Sequence, residues 1–247
     1  LPQVIVQDNV IPQTWHGYQS WINGEQFTKV LGKKEVTYDD DQPKGTYQDW
    51  CKHPSKWHQQ LLQNPSFATT IDLITTKKDF LLTGTPQLTI RIKSSLDHGL
   101  VSAALIDSGS ARRLTTSPVI LSPQGLRLGY HWTKDSLREF QLQKEATPAK
   151  LISRGHCNLQ NPDDPAKVID LAADHWITVK FDLQPIFHHL PAGHSLKLVI
   201  FGTDYEMTLR GNEKNTYTVD LSKSQIVIPG VENYPGEKAS NATIEEQ

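Results

Sequence analysis

The sequence predicts an all-β protein, a sandwich or a barrel, on three observations. About ten short segments rich in alternating or β-branched residues are punctuated by turn residues along the chain. Only one stretch carries apolar residues at helical offsets. The third observation is the run from His175 to Tyr205. Within it Ile177, Val179, Phe181 and Leu183 alternate with Thr178, Lys180 and Asp182, the period-two pattern of a strand with one buried and one wetter face. Leu196 to Phe201 is apolar almost throughout, which predicts a strand covered on both sides. Between the two, Gln184-Pro185 opens a predicted turn of helix, with proline at its first position, and Pro191-Ala192-Gly193 closes it.

Taken in order, Leu1 to about Tyr47 reads as a strand (Val4 to Val10), a Trp-bearing stretch (Trp15, Tyr18, Trp21) and a polar loop holding Asp39, Asp40 and Asp41. Three adjacent carboxylates lack the alternating ligand spacing of a calcium loop, so they read as a solvated charge run. Trp50, Trp57, Leu61 and Leu62 recur at helical offsets, with a helix start near Lys56 and Pro65 as the stop. The sandwich then begins near Ala68. Its predicted strands are Thr69 to Thr75, Asp79 to Thr83, Leu88 to Ile92 and Leu100 to Asp107. A loop with Gly109, Arg112 and Arg113 follows, then Gly125 to Trp132 and Arg138 to Gln143 as a further pair, then a connection over Leu151 to Val168. Beyond the central run, Thr216 to Leu221 and Ser224 to Ile228 finish the sheet, and Pro229-Gly230 stops it. The implied division is a connecting segment over 1–67, a sandwich over 68–231 and a tail over 232–247 that loses aromatics and gains Glu, Ser and Asn. The chain opens on Leu with alternation already under way, which predicts a piece of something longer.

Composition narrows the function. The 25 Lys+Arg and 27 Asp+Glu of this 247-residue chain nearly cancel, to a net charge of −2, and no basic stripe marks a nucleic-acid partner. No apolar run approaches the ~20 residues that span a bilayer, and no signal peptide leads the chain, so no membrane partner is expected. Cys51 and Cys157 lie far apart without a C-x-x-C spacing and read as free thiols in a reducing, cytoplasmic setting.

Catalytic signatures are missing. The glycine-flanked serine of a nucleophile elbow does not occur, and Gly193-His194-Ser195-Leu196-Lys197, the nearest text, runs into a strand. Neither phosphate-binding glycine motif is present. His188, His189 and His194 surround the central turn, but their spacing has no favoured metal geometry, and they read as a polar edge of the sandwich rather than a zinc site. His156 and Cys157 are adjacent on an extended chain and point to opposite faces, which prevents a thiolate–base pair. Trp15, Trp21, Trp50 and Trp57 suit a core or an interdomain contact, and alternatively the sugar-stacking platform of a carbohydrate-binding sandwich. No catalytic, cofactor or metal residue is assigned.

Four phrases carry a resemblance. Phe80-Leu81-Leu82-Thr83-Gly84-Thr85-Pro86-Gln87-Leu88-Thr89-Ile90-Arg91, Gly99-Leu100-Val101-Ser102-Ala103-Ala104-Leu105-Ile106-Asp107, Ala192-Gly193-His194-Ser195-Leu196-Lys197-Leu198-Val199-Ile200 and Thr203-Asp204-Tyr205 together resemble the C-terminal non-catalytic domain of bacterial X-prolyl dipeptidyl aminopeptidases. Leu1-Pro2-Gln3-Val4-Ile5-Val6-Gln7-Asp8 looks like the text that follows the catalytic domain in the lactic-acid-bacterial enzymes, and the likeness covers roughly Leu1 to Val231. The resemblance implies a jelly-roll, galactose-binding-domain-like β-sandwich attached to an upstream α/β-hydrolase, a serine exopeptidase that releases X-Pro dipeptides. Its Ser, Asp and His would lie upstream of Leu1, so none is carried onto this chain. The implied partner is that catalytic domain, in a parent that admits a homodimer; a free-standing carbohydrate-binding module is the competing reading.

Overall fold

A computed structural model describes residues 3–11, 14–21, 24–40, 60–63, 66–115, 119–122, 137–208 and 213–232. Two antiparallel sheets face each other across one apolar core, the sandwich that the alternation predicts. The smaller sheet has the order β11 (Leu142–Asn158), β8 (Leu100–Leu114), β14 (Ser195–Phe201), β5 (Ala68–Thr75). The larger runs β13 (Ile186–Leu190), β6 (Phe80–Gly84), β16 (Gln225–Glu232), β7 (Gln87–Ser94), β15 (Thr216–Asp220), β4 (Glu35–Asp39). In addition β12 (Ile177–Asp182) pairs with β7 and β3 (Glu25–Val30) with β16.

The period-two rule places the core. From the larger sheet Leu88, Ile90 and Ile92 point inward, and from the smaller Val101, Ala103 and Leu105 with Leu196, Leu198 and Ile200 meet them. The reverse face of β8 and β14 is also covered, because Ala104, Ile106, Val199 and Phe201 pack with Leu61, Phe67 and Tyr205. Two covered faces explain why Leu196 to Phe201 needs no alternation. Burying a leucine or isoleucine in such a row contributes about 1.5–3 kcal/mol, so these two central strands anchor the fold.

Several expectations are corrected. The helical turn after Gln184 is a strand: Ile186, His188 and Leu190 face inward and Phe187 and His189 outward, a pattern hidden because the histidines read as polar on both faces. The polar loop before Asp40 is the pair β3 and β4, which hydrogen-bonds to β16 and β15. The loop at Gly109, Arg112 and Arg113 is a continuation of β8 to Leu114, and the connection from Leu151 is β11 as far as Asn158. These two long strands pair through three register shifts, and such bulges break the alternation by which a strand is read. Pro229-Gly230 stops nothing: both lie inside β16, opposite β3. The helix start near Lys56, with Trp50 and Trp57, lies outside the described residues, although residues 60–62 are helical. Gly125 to Trp132 also lies outside them, and Arg138 to Gln143 spans the end of β10 (Leu137–Glu139) and the start of β11. Among the described residues no helix is long and apolar enough to cross a membrane.

Candidate functional site

The inward row of β8 does not end in an apolar residue. After Val101, Ala103 and Leu105 the next inward position is Asp107, 2% exposed, at the end of the space between the sheets. Across that space the inward row of β13 supplies His188 between Ile186 and Leu190. His194 arrives from the turn before β14, where Gly193 takes φ +83°, a left-handed conformation that glycine adopts without strain. Thr76 fixes this turn by accepting from Gly193 N through its carbonyl and by donating through Oγ1 to Pro191 O.

Both imidazoles converge on the carboxylate. His188 Nε2 lies 3.0 Å from Asp107 Oδ2 and His194 Nδ1 lies 2.6 Å from Oδ1. An ionised carboxylate only accepts, so both rings present N–H to it, His188 through Nε2 and His194 through Nδ1. A Cβ on Gly109 would run into the His194 ring, so that position of β8 has to be glycine. Burial pushes the Asp107 carboxyl up, but the hydrogen bond and charge of His188, the Arg113 guanidinium and the His194 hydrogen bond outweigh it and hold it below the ordinary carboxylate range. Burial holds His188 below the ordinary histidine value despite Asp107, with Lys150 and Arg113 acting in the same direction as burial.

The outward face of β13 carries a second carboxylate. β1 (Val4–Gln7) and β2 (Trp15–Tyr18) form a hairpin that lies on it. Asp8, just past β1, accepts from Val10 N and Ile11 N at 2.6 and 2.9 Å through Oδ1. Its Oδ2 is 3.3 Å from both His16 Nε2 and His189 Nε2. Against burial, the His189 hydrogen bond and the two backbone donors hold Asp8 well below the usual carboxylate range. Asn9 clamps the hairpin to the strand by accepting from His189 N and donating to His189 O. Phe187 packs against the rings of His16 and Tyr18.

The three histidines around the central turn thus divide into two sites. His188 and His194 share Asp107, and His189 turns away to Asp8, as alternation along an extended strand requires. Among the described residues no group of three or more His, Cys, Asp or Glu side chains is arranged to hold a metal ion. Trp15 is exposed and Trp21 half-buried, whereas Trp50, Trp57, Cys51 and Asp41 lie outside the described residues. Asp39 and Asp40 are partly exposed and carry hydrogen bonds: Asp39 accepts from Thr216 Oγ1, and Asp40 accepts from Thr203 N and Oγ1. Cys157 is a buried free thiol whose pKa burial pushes up to about 11, opposite to the shift a nucleophile needs.

Sequence reasoning missed Asp107, Arg113, Lys150 and Asp8, and a third cluster around Asp204. There Arg154 Nη1 lies 3.3 Å from Asp204 Oδ2 and 2.8 Å from Glu206 Oε2. Ser102, His156 and Asp204 stand in the order of a catalytic triad but fail its geometry. Ser102 is fully buried and gives its proton to Gly202 O at 2.5 Å, and His156 Nε2 is 3.8 Å from Asp204 Oδ2. A serine shut away from solvent and bonded to a main-chain carbonyl is a core hydroxyl.

Comparison with known proteins places these features. Residues 1–246 match the family described as the X-Pro dipeptidyl-peptidase C-terminal non-catalytic domain. The chain is 40% identical over 245 residues to a Xaa-Pro dipeptidyl-peptidase of Ligilactobacillus salivarius, covering 93% of this chain and 30% of the relative. It is 38% identical over 253 residues to the protein of that name from Pediococcus pentosaceus, covering 92% of this chain and 31% of the relative. The chain therefore spans under a third of the length of these curated relatives. Among solved structures, an aminopeptidase from a marine sediment archaeon aligns with a TM-score of 0.60 at 14% identity, over 94% of this chain and 41% of that one. An alpha-amino acid ester hydrolase aligns at 0.59 and 12% identity, over 93% of this chain and 41% of that one, and both likenesses concern the fold alone.

Proposed function

We propose, from the premise that this chain belongs to the family of X-Pro dipeptidyl-peptidase C-terminal non-catalytic domains, that it is the accessory domain of a longer serine exopeptidase releasing X-Pro dipeptides from peptide N-termini. The observation that carries the reading is the share of each relative that the match occupies, about 30%, which leaves most of the polypeptide to supply the chemistry. The parent's nucleophile, base and orienting acid belong upstream, in an α/β-hydrolase domain.

The β1–β2 hairpin is the surface we assign to that neighbour. Among the described residues, four of the eight exposed large hydrophobics, Ile5, Val10, Ile11 and Trp15, fall on it. Exposed apolar side chains concentrated in one small element mark an interaction surface rather than scattered surface residues. Asp8 and Asn9 hold the hairpin rigidly on β13 from below. Within the chain we take 1–67 as the connecting segment, whose β3 and β4 complete the larger sheet, 68–231 as the sandwich and 232–247 as a tail. The unpaired Cys157 supports a reducing, cytoplasmic setting.

The test is turnover of an X-Pro chromogenic substrate by the 247-residue chain and by the full polypeptide. Activity is expected only from the second, and hydrolysis by the first would overturn the reading. A homodimer of the parent belongs to the same proposal, and the mass of the full polypeptide in solution checks it.

A further inference from the structure

A cavity of about 210 Å³ opens beside Asp107, and its charge balance is one-sided. Arg112, Arg113 and Lys150 line it, against Asp107 as the one carboxylate among the lining residues. That carboxylate is already engaged, since each of its oxygens accepts from a histidine. The Arg113 side chain is 7% exposed. Its Nη2 donates to Asp107 O and Gly109 O and lies 3.5 Å from Asp107 Oδ1, but among the described residues the buried Nε and Nη1 have no hydrogen-bond acceptor. Lys150 stands opposite Asp107 in the β11–β8 register and has no hydrogen bond or ion pair among the described residues. Burial and the Arg113 charge both depress its pKa, with Asp107 opposing. Two desolvated cations side by side, with unused donors and a space between the sheet and the hairpin, are complementary to an anion.

We propose that this cavity binds a carboxylate group, held between Lys150 Nζ and the free N–H groups of Arg113. The choice of anion follows from the lining. Beyond the cations the wall is apolar, with Ala111, Leu114 and Leu142, so it accepts the organic remainder of a small acid. Inorganic phosphate carries four oxygens and no apolar part, so it would set polar atoms against that apolar wall. The carboxylate is either a free small acid or an acidic side chain of the rest of the polypeptide. The site stands apart from the peptidase reading, because this chain supplies every group in it.

The test titrates the 247-residue chain with sodium acetate, with sodium chloride at equal ionic strength and inorganic phosphate in parallel. The readouts are the unfolding temperature and the Arg113 Nε–H resonance in a nitrogen-resolved NMR spectrum. Acetate should raise the unfolding temperature saturably and shift the Arg113 resonance along the same curve. Lys150→Met, which keeps the aliphatic stem, should weaken acetate binding roughly tenfold, the loss expected for one charge-assisted hydrogen bond. Repeating the titration on the full polypeptide separates the sources: binding that persists assigns the site to a free acid, and binding lost there assigns it to an internal carboxylate. Equal effects of acetate and chloride, binding by phosphate alone, or an unchanged acetate affinity in Lys150→Met would each overturn the proposal.

Discussion

Asp107 and Asp8 take neighbouring histidines of one strand, from opposite faces, and are otherwise built differently. Asp8 is held by the two backbone N–H groups that follow it and by His16, all within eight residues, and only His189 is remote. Asp107 has no such local support beyond Arg113. Its histidines come from 81 and 87 residues away, on the other sheet and on the turn before β14. The near site can form with the hairpin, whereas the far one exists only once the two sheets have closed. The difference teaches that the inner carboxylate reports on global folding, and the outer one on a docked element that carries the exposed apolar surface.

The sharpest way to break this comparison is Asp107→Ala. It would strip the acceptor from two buried imidazoles and the counter-charge from a buried guanidinium, which costs about 3–5 kcal/mol for a buried pair losing one member. Asp8→Ala removes hydrogen bonds from backbone groups that the solvent beside the hairpin can partly replace, at about 1–2 kcal/mol. Urea unfolding of both variants checks the order. Equal losses would mean that the hairpin is as integral to the fold as the sheet interface.

Acidification gives a smaller effect with a definite sign. The unfolded chain takes up a proton at His188 near pH 6.5, and the folded chain does so only at lower pH, because burial depresses that group. The unfolded state then binds more protons, so stability falls as pH drops below about 6.5. His156, depressed by burial and by Arg154 against Asp204, adds in the same direction. Below pH ~4 the depressed Asp107 and Asp8 carboxyls steepen the loss, since their stabilisation disappears as pH falls through the folded values. His188→Gln should flatten part of the decline between pH 7 and 5 in denaturant midpoints. An unchanged slope would place the loss elsewhere.

How much of this the residues announce depends on the range over which each signal acts. Alternation is local, so β7, β12 and the apolar run of β14 can be read directly. The long pair β8 and β11 is hidden by its register shifts, and β13 by two consecutive histidines that look alike although one faces the core. Asp107 reads as the polar end of Gly99 to Ile106. The usable clue is parity, because it occupies the same face as Val101, Ala103 and Leu105, where an aspartate needs a buried partner. The identity of that partner is set by how β13 and the 191–194 turn fold back across the smaller sheet, which no local pattern encodes. The resemblance, in contrast, is carried by whole phrases, and the family match over residues 1–246 agrees with it.

The smallest effect on the chain itself is expected at Trp15. Its side chain is half exposed on β2, and among the described residues no ring or polar contact holds it, so Trp15→Ser should shift the unfolding midpoint of the 247-residue chain by at most about 0.5 kcal/mol. In the full polypeptide the same change should act at a contact between domains, where a buried tryptophan is often worth 2 kcal/mol or more. Limited proteolysis of the full polypeptide should then release the domain faster, while the isolated chain is cleaved at its original rate. A change that weakened both equally would assign Trp15 to the hairpin's own packing and remove the main reason for the proposed contact with the rest of the polypeptide. Asp8→Ala sharpens the outcome, because it loosens the hairpin from β13 while leaving the side chains of Ile5 and Trp15 in place. If the hairpin works as a rigid platform, Asp8→Ala should weaken the interdomain contact as well, and the two variants should combine to less than the sum of their separate effects.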